Sequence, residues 1–291
     1  MSDLNKVDRF NFPGGERHVK LTDEFVSSIK QKNLLDVKIK SANDMMDLLL
    51  VTDVLRSRLA QPENLVINYM PYGRQDRATT AQQPFSLDIF ARIIHLMNYK
   101  YILTYEPHSD VTGALFQNII MMHCNREVRD YCKSLHIGLN KENLMLFAPD
   151  AGGSKRVDRV QEYLLSSRSG FYGAISPEYG QALKHRNPAT GRLEITFISP
   201  NVRGKDVVIV DDICDGGATF VQLAPKLKEA GAKSLHLFVA HGIFSKGLNE
   251  LRGYYETIAT TDSYCEMKSE PHNGFSVYPL NYLTNQNWHG E

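Results

Sequence analysis

Val207-Val-Ile-Val-Asp-Asp-Ile-Cys-Asp-Gly-Gly-Ala-Thr-Phe220 joins a run of β-branched residues to three carboxylates and a turn of small residues. Positions 207–210 suit a strand buried on both faces, the setting of a parallel sheet. After it, Gly216, Gly217 and Ala218 let backbone N–H groups approach a ligand without side-chain obstruction, and Thr219 adds a hydroxyl. From 220 to 230 the apolar spacing becomes helical and stops at Gly231, so the turn opens a helix whose N-terminus favours an anion. Asp211 and Asp212 repel a phosphate, but adjacent carboxylates at a strand end accept hydrogen bonds from a pair of sugar hydroxyls. The run therefore fits a phosphorylated sugar. The plainer alternative is an ordinary strand, turn and helix with acids in the loop.

The chain of 291 residues is long enough for two domains. Its 33 Lys and Arg against 33 Asp and Glu give no overall field for a nucleic acid or a membrane surface, so any anion site has to be local. Residues 1–6 carry no apolar signal core and no run is long enough to span a bilayer, the pattern expected of a cytoplasmic protein. Cys124, Cys132, Cys214 and Cys265 form no Cys-x-x-Cys pair and are expected as reduced thiols, with Cys214 a small side chain in the turn and not a nucleophile.

Apolar strand candidates at 65–70, 101–105, 144–148, 207–210 and 234–240 alternate with helical spacing at 42–59, 86–97, 126–135, 155–166 and 220–230. Alternation of this kind predicts an α/β protein of two doubly wound, mostly parallel-sheet domains. The expected domains are 1–125 and 126–271, with 272–291 packing back onto the first as an edge element. The chain has neither a Gly-x-x-x-x-Gly-Lys-Ser/Thr loop nor a Gly-x-Gly-x-x-Gly turn, which removes two common routes to nucleotide binding.

The 207–220 run resembles the ribose-phosphate-binding loop of the phosphoribosyltransferase fold, in which two acidic residues precede a small-residue and threonine turn. Further segments narrow the resemblance to the ribose-phosphate pyrophosphokinase family. Pro71-Tyr-Gly-Arg-Gln-Asp-Arg77 is similar to that family's Tyr-x-x-Tyr-x-Arg-Gln-Asp-Arg segment, Glu106-Pro-His-Ser-Asp110 stands where the family shows Asp-Leu-His, and Ala148-Pro-Asp-Ala-Gly-Gly-Ser-Lys-Arg156 resembles its Pro-Asp-Ala-Gly-Gly run. Lys184-His-Arg186 matches the Lys-x-Arg of its catalytic flexible loop, and 187–192 has the turn composition of a mobile flap. Phe12-Pro-Gly-Gly-Glu16 is similar to its Phe-x-Asp-Gly-Glu loop, which reaches a neighbouring subunit's ATP. Read without the family, the 71–77 segment suits a solvated charged loop, His108 a structural hydrogen-bonding residue, and Asp150 the cap of a helix start.

The resemblance implies a Mg2+-dependent transfer of the diphosphoryl group of ATP to the anomeric hydroxyl of ribose 5-phosphate, giving 5-phosphoribosyl diphosphate and AMP. It implies that Arg74, Gln75, Phe12 and Glu16 bind ATP, and that Asp211, Asp212, Asp215, Gly216, Gly217, Ala218 and Thr219 bind ribose 5-phosphate. His108 and Asp150 would organise the metal, Lys184, Arg186 and His108 would act in catalysis, and Asp215 would polarise the attacking hydroxyl. A homo-oligomer, dimer or hexamer, is implied as well. Gly216-Gly-Ala-Thr replaces the usual Thr-Gly-Gly-Thr, and Glu106, Pro107 and Gly14 are further departures. So are the short stretch before Phe12 and the long connection at 168–180. The competing functions are a phosphoribosyltransferase that consumes the diphosphate, which needs only the second half, and a non-catalytic regulatory subunit, which has no need of Lys184 and Arg186.

Overall fold

The computed structural model describes residues 2–135, 143–166, 178–186, 193–197 and 201–280, with the backbone alone at 183–186 and 193–197. The chain divides into two compact units between His123 and Cys124, two residues ahead of the expected boundary.

In the first unit a hairpin of β1 (Asp8–Asn11) and β2 (Arg17–Lys20) precedes α1 (Asp23–Lys32), β3 (Leu34–Val37), α2 (Ala42–Ser57), β4 (Asn64–Ile67), α3 (Ser86–Leu96), β5 (Tyr101–Tyr105), α4 (Val111–Leu115) and β6 (Ile119–Met122). The four later strands form a parallel sheet in the order β3-β4-β5-β6. Helices α1 and α2 start where the sequence supplies a cap: Thr22 accepts from the Phe25 N–H and Ser41 from the Asp44 N–H. The hairpin is fastened to α2 by Arg17, whose Nε and Nη2 donate to the fully buried Asp47 at 2.6 and 2.8 Å.

The second unit contains α5 (Asn125–Ser134), β7 (Leu144–Ala148), α6 (Ser154–Leu165), β8 (Glu178–Arg186), β9 (Leu193–Phe197), β10 (Asp206–Cys214), α7 (Ala218–Glu229), β11 (Ser234–Gly242), α8 (Asn249–Arg252), β12 (Thr257–Thr261) and β13 (Phe275–Tyr278). Its sheet runs β13-β12-β11-β10-β7-β8-β9, parallel throughout except for the antiparallel β8–β9 pair. From β7 the chain moves outward to β8 and β9, then returns to β10 on the other side and continues outward. The gap between the ends of β7 and β10 is therefore the switch point at which open α/β sheets bind ligands. The edge element expected on the first domain is, over Phe275–Tyr278, the outer strand of this second sheet, because its backbone pairs with β12 from Ile258↔Phe275 to Thr261↔Tyr278. Among the described residues no helix is long and apolar enough to cross a membrane.

At the sheet end away from the switch point, a buried polar chain ties three strands to α5. Ser234 Oγ donates to Asp206 at 2.6 Å, His236 meets Ser234 through Nε2 at 2.9 Å and Thr257 through Nδ1 at 2.8 Å, and Tyr131 Oη lies 2.6 Å from the Thr257 hydroxyl. Burial lowers the His236 pKa to about 4, against an opposing pull from Asp206. The unfolded chain therefore binds a proton here that the fold refuses. Stability should be intact above about pH 6.5 and fall by up to about 3 kcal/mol as the pH drops towards 4. Denaturant titrations across that range should show the slope in the parent protein and a shallower one in His236→Gln.

Candidate active site

The strand that opens the site is longer than its apolar run. Pairing with β7 stops at Ile209↔Phe147, but pairing with β11 continues to Cys214↔Gly242. Asp211 and Asp212 thus lie within β10, past the end of β7, and the strand whose apolar run ends at Val210 continues to Cys214. On the uncovered side the chain leaving β7 turns at Asp150, whose Oδ1 accepts from the Gly153 N–H at 3.1 Å and caps the turn 151–153. This brings the start of α6 against β10. Arg156, with only 6% of its surface exposed, donates from Nη1 to Asp211 Oδ1 at 2.9 Å and brings Nη2 to 3.6 Å from Asp212 Oδ1.

Burial, reinforced by the neighbouring charge of Asp212 and less so by Asp150, pushes the Asp211 carboxyl well above its ordinary pKa, and Arg156 opposes the shift. The pair is held so that two acids share one cation, and a hydroxyl-bearing ligand arriving at the strand end would find acceptors already oriented. Beyond Cys214 the turn reaches Gly217 at φ +78, a conformation that favours glycine, and a Cβ there would lie 3.3 Å from the Leu251 side chain. Gly217 stands at the N-cap of α7 with no side-chain cap, so the turn ends at a helix N-terminus, where the dipole favours an anion. Cys214 is buried, and burial together with the charges of Asp211 and Asp215 raises its thiol to about 12, which makes it inert as a nucleophile.

In the first unit a second constellation joins the loops after β4 and β5. A Cβ on Gly73 would touch the His108 Cβ at 3.5 Å, and Ser109 Oγ donates to the buried Asp76 at 2.8 Å. Asp76 also accepts from Arg77 Nε at 2.9 Å, and Arg77, Ser109 and the nearby His108 hold its carboxyl below the usual range despite burial. Arg74, Gln75 and His108 are exposed on this platform. Glu106, in contrast, is buried at φ +39, with Oε2 3.5 Å from His123 Nδ1.

Residues 120–271 match the model of the phosphoribosyl transferase domain, and residues 2–97 match that of the N-terminal domain of ribose phosphate pyrophosphokinase. A ribose-phosphate pyrophosphokinase from Thermococcus kodakarensis is 30% identical over 250 residues, covering 84% of this chain and 80% of the relative. The chain belongs to the ribose-phosphate pyrophosphokinase family. A second family member, from Mycoplasmopsis pulmonis, is 28% identical over 249 residues, covering 84% of this chain and 72% of the relative. In fold, the chain resembles the crystal structure of phosphoribosylpyrophosphate synthetase from Mycobacterium smegmatis, with a TM-score of 0.74 at 18% identity over 95% of this chain and 89% of the other.

Against that family pattern, the second unit brings Asp150, Asp211, Asp212, Asp215 and the turn from Gly216 to Thr219 to one end of its sheet, and the first brings Arg74, Gln75 and His108 to one platform. Phe12 and Glu16 are exposed at the tip of the β1–β2 hairpin. Lys184 and Arg186 occupy β8, paired with Ile195 and Leu193 of β9, so their backbone is strand where a flexible loop was expected; their side chains and the 187–192 turn lie outside the described residues. The long 168–180 connection is described only from Glu178 onward. Sequence reading gave Arg156 no role. The signal was available: it shares the buried face of α6 with Val160 and Leu164, where a charge needs a partner.

Removing the cation should be more damaging than removing the triad. Arg156→Met is expected to cost about 3 kcal/mol in denaturant unfolding, because two buried carboxylates lose their partner. Adding Asp211→Asn should return most of that loss, and additive effects in this double-mutant cycle would show the two residues to be uncoupled.

Proposed function

We propose that the chain transfers the diphosphoryl group of ATP to the anomeric hydroxyl of ribose 5-phosphate, giving 5-phosphoribosyl diphosphate and AMP. The observation that carries this is the presence, in one chain, of a phosphoribosyl transferase domain with its carboxylate pair and small-residue turn, and of the pyrophosphokinase N-terminal domain. A base-attaching transferase would leave the second of these without a task.

Asp211 and Asp212 accept the ribose hydroxyls, and the N–H groups from Gly216 to Thr219 receive the 5-phosphate. Arg74 offers a planar cation to the nucleotide and Gln75 an amide to its base edge. In the transfer, the anomeric oxygen forms a bond to the β-phosphorus as the bond to the α–β bridging oxygen breaks and AMP departs. Asp215 polarises the attacking O–H, and Lys184 and Arg186 face the charge that develops on the transferring oxygens.

Mg2+ suits the donor set. Among the described residues no three His, Cys, Asp or Glu side chains cluster to hold a metal, but one carboxylate at the end of β7, together with substrate phosphates, is the sparse ligation this ion accepts. Asp150 would hold it, with His108 near the nucleotide phosphates; when bound it supplies charge neutralisation on the phosphate oxygens. The same assignment gives Phe12 and Glu16 to the nucleotide of a neighbouring copy in a homo-oligomer, a role supported by the exposure of Phe10 and Phe12 at 41% and 49%.

A phosphorus NMR time course with MgATP and ribose 5-phosphate should show AMP appearing together with the diphosphate signals of the product. Hydrolysis of ATP without a sugar diphosphate, or no turnover while ribose 5-phosphate is bound, would displace this function. Lys184→Ala should lower single-turnover rates by about a hundredfold or more with ribose 5-phosphate binding retained. Asp211→Asn combined with Asp212→Asn should instead weaken sugar binding.

A further inference from the structure

Residues 242–247, which leave β11, form a turn fastened to the cradle. Ile243 and Phe244 donate their backbone N–H groups to the Cys214 carbonyl at 2.9 and 3.1 Å, and Ser245 donates to the Asp215 carbonyl at 3.1 Å. Phe244 adopts φ +48 and folds its ring back over Gly242, where a Cβ would fall 2.1 Å from the ring edge. The ring is buried against Phe275, with centroids 5.9 Å apart. The turn is closed by the Gly247 N–H on the Phe244 carbonyl at 2.8 Å. Lys246 therefore leaves a pinned backbone, and its stem lies beside the cradle at Gly216: Cε, Cδ and Cγ lie 3.5, 3.6 and 3.8 Å from where a Cβ on Gly216 would stand. The side chain is exposed, and its ammonium has no ion pair among the described residues.

The charge around the cradle makes this placement consequential. Asp150, Asp211, Asp212 and Asp215 are carboxylates, and the buried Arg156 is already engaged with two of them. Gly216, Gly217 and Ala218 carry no side-chain donor, so Thr219 alone supplies a hydroxyl to a dianionic group seated on the turn. We propose that Lys246 binds the 5-phosphate of the sugar, its ammonium taking the place of the side-chain donor that Gly216 lacks. This rests on the cradle holding a phosphorylated sugar, as proposed above, and adds to it a recognition residue outside the cradle run. As a point charge on a flexible stem, lysine suits a tetrahedral anion approached from one side.

The test is a calorimetric titration of ribose 5-phosphate, ribose and inorganic phosphate into the parent protein, Lys246→Ala, Lys246→Arg, and Lys246→Ala combined with Gly216→Thr. Loss of one charge-assisted contact should raise the Kd for ribose 5-phosphate about ten- to a hundredfold in Lys246→Ala. Lys246→Arg should stay close to the parent. Gly216→Thr should recover part of the loss, since position 216 has no positive φ and the nearest atoms to an added Cβ, at 3.5 Å and beyond, belong to the lysine stem that the first substitution removes. In steady state, KM for ribose 5-phosphate should rise while KM for ATP and kcat stay within about twofold. An unchanged Kd in Lys246→Ala, or a loss equal for ribose and ribose 5-phosphate, overturns the proposal. Tight ribose 5-phosphate binding that depends on Lys246 in a protein that makes no product would uphold Lys246 and displace only the proposed reaction.

Discussion

Two adjacent carboxylates at the end of a buried strand repel each other and resist desolvation, and the second unit places beside them a buried cation, Arg156, that answers both. Arg156 reaches Asp211 and Asp212 only because α6 begins within a few residues of β7. That close start is permitted by small residues: a Cβ on Gly153 would stand 3.3 Å from Pro149 Cδ and 3.7 Å from Arg156 Nη1. Replacing such a triad by apolar side chains would generally cost nothing in stability or even add to it. Its presence at the switch point of the sheet therefore speaks for recognition: Arg156 opposes the burial that would neutralise Asp211 and holds both acids in one orientation at the strand end.

The first unit applies the same physics with other residues. Asp76 is buried beneath its own loop, and Arg77 and Ser109 satisfy it, so the loops after β4 and β5 are joined through one carboxylate. The result leaves Arg74, Gln75 and His108 outward on a fixed base. In both units the groups that would touch a ligand, exposed in the first and largely buried in the second, are positioned by a group that is itself buried, charged and paired. Such buried partners hold reactive geometry without taking part in it.

How much of this could be read from the sequence follows the range of the interactions involved. The α/β alternation was legible because burial of both strand faces and of one helix face writes itself into local periodicity, and the helix starts at Ala42 and Ser86 fall where the spacing puts them. The cradle was legible because its glycines and acids are contiguous. The extent of β10 was not: apolar content ends at Val210, but the strand is prolonged by pairing with β11, whose nine residues are all buried. Tertiary context there overrides composition. The strand geometry at Lys184 and Arg186 was missed for a similar reason, since it depends on pairing with β9 across a turn of loop-like composition. The partnership of Arg156 with Asp211 spans 55 positions and has no local signature beyond a charge on an otherwise apolar helical face.

Long-range tethering also explains why the turn after β11 can hold a side chain beside the cradle with so few contacts of its own. The ends of β11 and β12 are locked together by hydroxyls: Thr260 Oγ1 accepts from the Gly242 N–H at 2.8 Å, Thr261 Oγ1 and Ser263 Oγ donate to the Ala240 carbonyl at 2.6 and 3.0 Å, and His241 Nδ1 meets Ser263 Oγ at 2.7 Å. Every one of these groups is buried, so none can exchange its partner for water without leaving a polar atom unsatisfied. The turn at 242–247 thus departs from a rigid base and ends, through its N–H groups, on the carbonyls of Cys214 and Asp215. A segment fixed at both ends gives up little conformational entropy when a ligand arrives. What remains free is the lysine side chain, and that is where adaptability to a phosphate is useful.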